Sequence, residues 1–130
     1  MKILLDTHIF LWFISGDKRL PEDTRSNIRD LDNEVYLSVV SLWEAIVKYQ
    51  LGRLPLPHSP DIYLPIQRKK HQIASLSLDE ASVSQLTNLP QIHRDPFDRM
   101  LICQALEHDL IIATVDAAIQ AYSIPTLGHA

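Results

Sequence analysis

The sequence predicts an α/β fold in which parallel strands are joined by helices that cover both faces of the sheet. Three observations carry that expectation. Short apolar segments alternate along the chain with segments of helical periodicity, the order that right-handed crossover units produce. Two of the apolar runs, Ile3-Leu4-Leu5 and the stretch from Leu110 to Val115, read as buried strands. Each of those two runs stops at a carboxylate, Asp6 and Asp116, and in open parallel sheets ligands bind outside the carboxyl ends of the strands.

Taken in order, residues 2–5 form the first strand, and a helix over 7–14 follows directly until Gly16-Asp17 breaks it. Pro21-Glu22-Asp23 opens a second helix, because proline suits a first turn and acids suit the N-terminal end of the dipole. The Val, Tyr and Leu content of 34–39 predicts a strand. Ser41 then caps a helix, with Glu44 three residues on as in a capping box, and Gly52 ends it. Residues 54–60 hold three of the eight prolines and predict a loop, after which 61–70 are helical in pattern. A third strand over 73–78 leads to a helix over 79–89 that stops at Pro90. Pro96 starts a helix to His108, followed by the strand from Leu110, a short helix over 117–122 and an edge strand over 124–127. With no repeat, low-complexity tract or linker, the 130 residues predict one domain, 1–130.

A hydrophobic share of 46% with 22% charged residues is that of a globular protein and excludes a disordered chain. The single cysteine, Cys103, allows no internal disulfide, and its helical neighbours Phe97, Leu101 and Ala105 mark it as core. Asp6 and His8 interrupt the N-terminal apolar stretch, so no signal peptide is predicted, no run is long enough to span a membrane, and the expected compartment is the cytoplasm. A net charge of -4 argues against holding nucleic acid through a broadly basic surface. It leaves room for an enzyme that meets phosphate through divalent cations, with Lys48, Arg53, Arg94 and Arg99 at its rim.

Four acids carry the functional argument. Asp6 and Asp116 each read either as an N-cap of the helix that follows or as a metal ligand at a strand end. Asp98 is either a first-turn acid complementing the helix dipole or a third ligand, and Asp95 before Pro96 reads as an N-cap. Glu44 lies with Val40, Val47 and Leu51 on one helical stripe, so its carboxylate interrupts an otherwise apolar face. It is either in an exposed pair with Lys48 one turn later, or part of the capping box, or buried beside a cationic partner, since an unpaired buried charge costs several kcal/mol. Clustered carboxylates raise one another's pKa unless cations neutralise them, and oxygen ligands select Mg²⁺ or Mn²⁺ over zinc. His8, His58, His71, His93, His108 and His129 show no zinc-ligand spacing, and His93 reads as a loop or capping residue. Three glycines cannot build a phosphate-cradling loop or a dinucleotide fingerprint, and no nucleophile elbow occurs. Trp12 and Trp43 read as packing or interface residues.

Four segments in order, Ile3-Leu-Leu-Asp-Thr-His8, Val39-Val-Ser-Leu-Trp-Glu-Ala45, His93-Arg-Asp-Pro-Phe-Asp-Arg-Met-Leu-Ile-Cys-Gln-Ala105 and Ile111-Ile-Ala-Thr-Val-Asp116, strongly resemble PIN-domain proteins, specifically the VapC toxins of type II toxin-antitoxin pairs. The resemblance covers essentially the whole chain. It implies a three-layer α/β/α domain with about five parallel strands and an Mg²⁺- or Mn²⁺-dependent endoribonuclease that hydrolyses phosphodiesters with metal-activated water. Carried over by position, its catalytic and metal-binding acids fall on Asp6, Glu44, Asp98 and Asp116, with Asp95 as a possible outer ligand and Thr7 and Thr114 as hydroxyls near the metal. It further implies a cognate antitoxin, an RNA substrate and a homodimer. Two alternatives stand beside it. A phosphatase-type domain would want a second acid next to Asp6 and a late lysine, whereas Thr7-His8 follow Asp6 and no lysine comes after Lys70; a non-catalytic PIN-like module would have no need of all four acids.

Overall fold

The computed structural model describes residues 1–128, so His129 lies outside the described residues. Five strands, β1 (Lys2–Leu5), β2 (Glu34–Ser38), β3 (Ala74–Leu76), β4 (Ile111–Ala113) and β5 (Thr126–Leu127), pair in parallel in the order β3-β2-β1-β4-β5. β1 is central, its Ile3 and Leu4 in register with Val35 and Tyr36 on one side and with Ile111 and Ile112 on the other.

The pleat explains the three layers. Alternate residues of a strand point to opposite faces. Ile3, Leu5, Val35, Leu37 and Ala113 enter one core with Ile9, Phe10 and Phe13 of α1 (Thr7–Ser15), Ile28 of α2 (Glu22–Arg29) and Leu64 of α4 (Pro60–Lys70). Leu4 and Ile112 enter the second core with Leu101, Ile102, Cys103 and Ala105 of α6 (Pro96–His108) and Ile119 of α7 (Ala117–Gln120). The remaining helix of the first half, α3 (Val39–Gln50), contributes Ala45 to the first core and Val40 to the second. Helices therefore lie on both faces, as predicted, and Cys103 is fully buried.

Several boundaries differ from the sequence expectation, each for a local reason. α3 begins at Val39 because Ser38, the last residue of β2, is its N-cap and accepts a bond from Val40 N at 3.0 Å. Ser41 is consequently inside the helix and buried, so the predicted capping box does not form. Pro21 stands at the N-cap position of α2 rather than in its first turn. Pro60, assigned to the loop, opens α4 with its fixed φ. The helix over 79–89 splits into α5 (Glu80–Ser84) and a 3₁₀ turn (Gln85–Asn88), and the third strand shrinks to Ala74–Leu76. Gly16 ends α1 with φ at 66°, a conformation open to glycine at little cost.

Candidate active site at the carboxyl edge of the sheet

In a parallel sheet each crossover helix runs back against the strands, so strand C-termini and helix N-termini share one edge. Asp6 follows β1 on that edge, Asp116 lies three residues past β4, Asp98 is in the first turn of α6 and Glu44 is in the second turn of α3. The topology thus gathers four acids separated by as many as 110 positions. Their mutual influence is direct: Asp98 feels the charges of Asp6, Asp95, Glu44 and Asp116, and Asp6 feels those of Glu44 and Asp116.

Each acid is held by a specific donor. Asp6 occupies the N-cap position of α1, yet its side chain makes no capping bond. Instead its Oδ2 accepts from Thr114 Oγ1 at 2.8 Å, while its backbone N–H extends the sheet ladder to Ala113 O at 2.9 Å. The helix-cap alternative for this side chain is therefore excluded. Glu44 is 2% exposed; its Oε1 accepts from Thr7 Oγ1 at 2.7 Å and its Oε2 from Lys48 Nζ. With the Thr7 proton committed to Glu44, Ser41 Oγ donates to Thr7 Oγ1 across 2.8 Å. Thr7 and Thr114 thus stand beside the acids, as the resemblance implied.

Asp95 and Asp116 do serve as caps. Asp95 Oδ1 accepts from Phe97 N at 2.9 Å and Asp98 N at 3.1 Å, and Asp116 Oδ1 accepts from Ala118 N at 2.9 Å. Asp95 therefore fixes the turn that presents Asp98. Asp116 is exposed and leaves Oδ2 outside the cap bond.

His93 lies in the loop before α6, as the sequence predicts, and its ring in addition reaches Asp98. Tyr122 Oη accepts from Arg99 Nη1 at 2.9 Å and from His93 N at 3.4 Å, so its own proton goes to His93 Nδ1 at 2.8 Å. The remaining ring N–H, on Nε2, is directed at Asp98 Oδ2 3.2 Å away. The imidazole is thereby tied to the candidate site, and Arg99 is committed to Tyr122 and to Pro90 O at 2.8 Å rather than free at the rim. Tyr122 and Gln104 were missed in the sequence reading. Gln104, fully buried, accepts from Ser38 Oγ at 2.6 Å and donates to Ser77 O at 3.1 Å, which bolts the N-terminus of α3 to α6. A glutamine inside the apolar face of a helix was the available signal.

Burial first, then the neighbouring carboxylates, pushes the Asp98 carboxyl up to about 8. Burial likewise raises Asp6, opposed by the Thr114 hydroxyl and the His8 charge and reinforced by Glu44 and Asp116. A set of oxygen donors under that much mutual repulsion has the chemistry of a hard-cation site. Among the described residues no three carboxylate, imidazole or thiol groups are gathered tightly enough to enclose an ion unaided. A depression of about 620 Å³ beside α2, lined by Pro21, Thr24 and Asn27, holds none of the four acids. Trp43 is 55% exposed and packs edge-on against Phe97, while Trp12 is half-buried under Arg19.

Comparison with known proteins agrees with this geometry. The PIN domain family model matches residues 3–124. The chain belongs to the PIN domain family. Ribonuclease VapC16 of Mycobacterium tuberculosis is 36% identical to this PIN domain over 59 residues, a match that spans 45% of this chain and 42% of that relative's length. Among solved structures, VapBC2 from Rickettsia felis bound to a promoter DNA fragment superposes with a TM-score of 0.73 at 14% identity, covering 98% of both chains. DNA-bound VapBC from Salmonella typhimurium gives 0.64 at 18% identity over 98% of this chain and 97% of that one. At such identities the structural likeness shows the PIN fold and its five-stranded parallel sheet.

Proposed function

We propose that this PIN domain, taken as a single unit over residues 1–130, is a divalent-metal-dependent endoribonuclease and the toxin of a toxin-antitoxin pair. The observation that carries the reading is the convergence of Asp6, Glu44, Asp98 and Asp116 at one sheet edge, two of them held above their ordinary pKa. The likeness to a curated ribonuclease and to solved toxin-antitoxin complexes supports it.

Asp6 and Asp98 would bind Mg²⁺ or Mn²⁺ directly, with Glu44 and Asp116 orienting water or a second ion. A cation held there would lower the pKa of a water molecule and offset charge on the attacked phosphate and the leaving oxygen. The chain's own residues supply the positioning. Thr114 and Thr7 fix the rotamers of Asp6 and Glu44, His93 fixes Asp98, and Asp95 and Gln104 fix the helices that carry Asp98 and Glu44. The cognate antitoxin, a homodimer and a cytoplasmic setting belong to the same proposal; among the described residues no helix is long and apolar enough to cross a membrane.

Incubation of the purified protein with total RNA and Mg²⁺, with and without chelator, tests the activity. Chelator-sensitive cuts at defined sequences are expected, and RNA left intact with Mg²⁺ and with Mn²⁺ refutes it. Copurification with the adjacent gene's product, followed by sizing, tests the partner.

A further inference from the structure

Lys48 lies one turn beyond Glu44 on α3, and its Nζ donates to Glu44 Oε2. The ammonium also feels the charges of Asp98, in the first turn of α6, and of Asp95, its N-cap. Its side chain is 35% exposed against 3% for Glu44, so the stem is half-buried and the charge is aimed inward at the acids. Arg99, close in sequence to the same acids, has no comparable role because Tyr122 and Pro90 occupy its guanidinium.

The ammonium therefore supplies the positive charge that the carboxylates require when no metal is bound. A divalent cation that engages Glu44 competes for the same carboxylate, and two cations on one carboxylate repel. That repulsion favours release of the lysine from Glu44. Its four-carbon stem is flexible, its head is a mobile point charge, and the nearest new anion at a nuclease centre is the phosphodiester backbone of the substrate.

We propose that Lys48 is an exchangeable counter-ion and a substrate-binding residue: it neutralises Glu44 in the metal-free protein and passes to an RNA phosphate when metal takes the carboxylates. The inference rests on the metal-dependent ribonuclease reading given above.

The test uses the full chain with Lys48→Met, Lys48→Gln and Lys48→Arg, each checked for native circular dichroism. Mn²⁺ affinity is measured by calorimetry. Affinity for a short mixed-sequence single-stranded RNA is measured in Ca²⁺ across a salt series. The neutral variants are expected to bind Mn²⁺ about tenfold more tightly, since about 1.4 kcal/mol of competing ion pair is removed. They are expected to bind RNA about tenfold more weakly, with the salt slope reduced by about 0.7, the value of one lost phosphate contact on a single strand. Lys48→Arg should restore RNA binding. The sign of the metal effect is diagnostic, because damage to the fold would weaken metal binding. Equal or weaker Mn²⁺ affinity in both folded neutral variants, or unchanged RNA affinity, overturns the role of Lys48 while leaving the ribonuclease reading intact. A wild-type protein that binds no Mn²⁺ overturns that underlying reading instead.

Discussion

Replacing Thr7 by valine removes one hydroxyl from the base of the acidic cluster while preserving shape. Thr7 is 4% exposed, and its Oγ1 lies 2.7 Å from Glu44 Oε1 and 2.8 Å from Ser41 Oγ. Valine keeps the β-branch and nearly the same volume, so no cavity opens and helix propensity hardly changes. What is lost is one hydrogen bond to a carboxylate, worth about 1.5–3 kcal/mol, and the acceptor for Ser41, worth about 1 kcal/mol. Ser41 can recover part of its share by bonding a backbone carbonyl one turn earlier. The expected destabilisation is about 2–4 kcal/mol, a fall in Tm of roughly 6–12 °C for a domain of this size. Thermal unfolding in chelator, monitored by circular dichroism, measures it, with Thr7→Ser as the control that keeps the hydroxyl and loses a methyl group. Calorimetry with Mn²⁺ should show weaker binding by Thr7→Val, because Glu44 has lost the donor that fixes its rotamer. If Thr7→Val melts within a degree or so of wild type, or if Thr7→Ser is equally damaged, the hydroxyl does not hold Glu44 and the reasoning fails.

Asp6→Asn should abolish Mg²⁺-dependent RNA cleavage and leave the fold intact, since the amide oxygen still accepts from Thr114; its Tm in chelator should equal or exceed that of wild type, because burial disfavours the carboxylate. A folded variant that still cuts RNA would remove Asp6 from the metal site. Asp95→Ala deletes the cap that receives Phe97 N and Asp98 N, and should cost about 1 kcal/mol in chemical denaturation together with a measurable loss of Mn²⁺ affinity. Unaltered stability would show that the cap does not fix the turn carrying Asp98. Asp79 is held below its usual pKa of 3.8 by bonds from Ser82 and by His108, so its contribution to stability is present above that pH and lost as pH falls through the lower folded value. Asp79→Asn should therefore flatten the stability profile below about pH 4; an acid limb identical to that of wild type would contradict this.

Much of the architecture was legible because parallel strands and their crossover helices advertise themselves locally. The strand at β1, the helix start at Pro96 and the helix end at Gly16 each follow from apolar content, proline φ or glycine freedom. The misplaced start of α3 shows where local reading stops. Ser38 and Ser41 are equivalent as caps in sequence, and the choice between them depends on where β2 loses its neighbour and on Gln104 reaching Ser38 from α6. The short α5 and its 3₁₀ turn were likewise beyond periodicity, which registers helical spacing but not the tightening of a last turn.

The acids divide along the same line. By itself the sequence determined which carboxylates stood at strand ends or in apolar faces, that their donor atoms were oxygen, and that the chain resembled the PIN family, because composition and spacing are local properties. The structure alone decided between cap and cluster. Asp6 turns away from its helix toward Thr114, 108 positions distant, while Asp95 and Asp116 do cap theirs. Lys48 points into the cluster, and His93 reaches Asp98 with its proton set by Tyr122. The Asp6–Thr114 and His93–Tyr122 contacts follow from groups that the fold brings within hydrogen-bond distance, and no short window of sequence contains both partners.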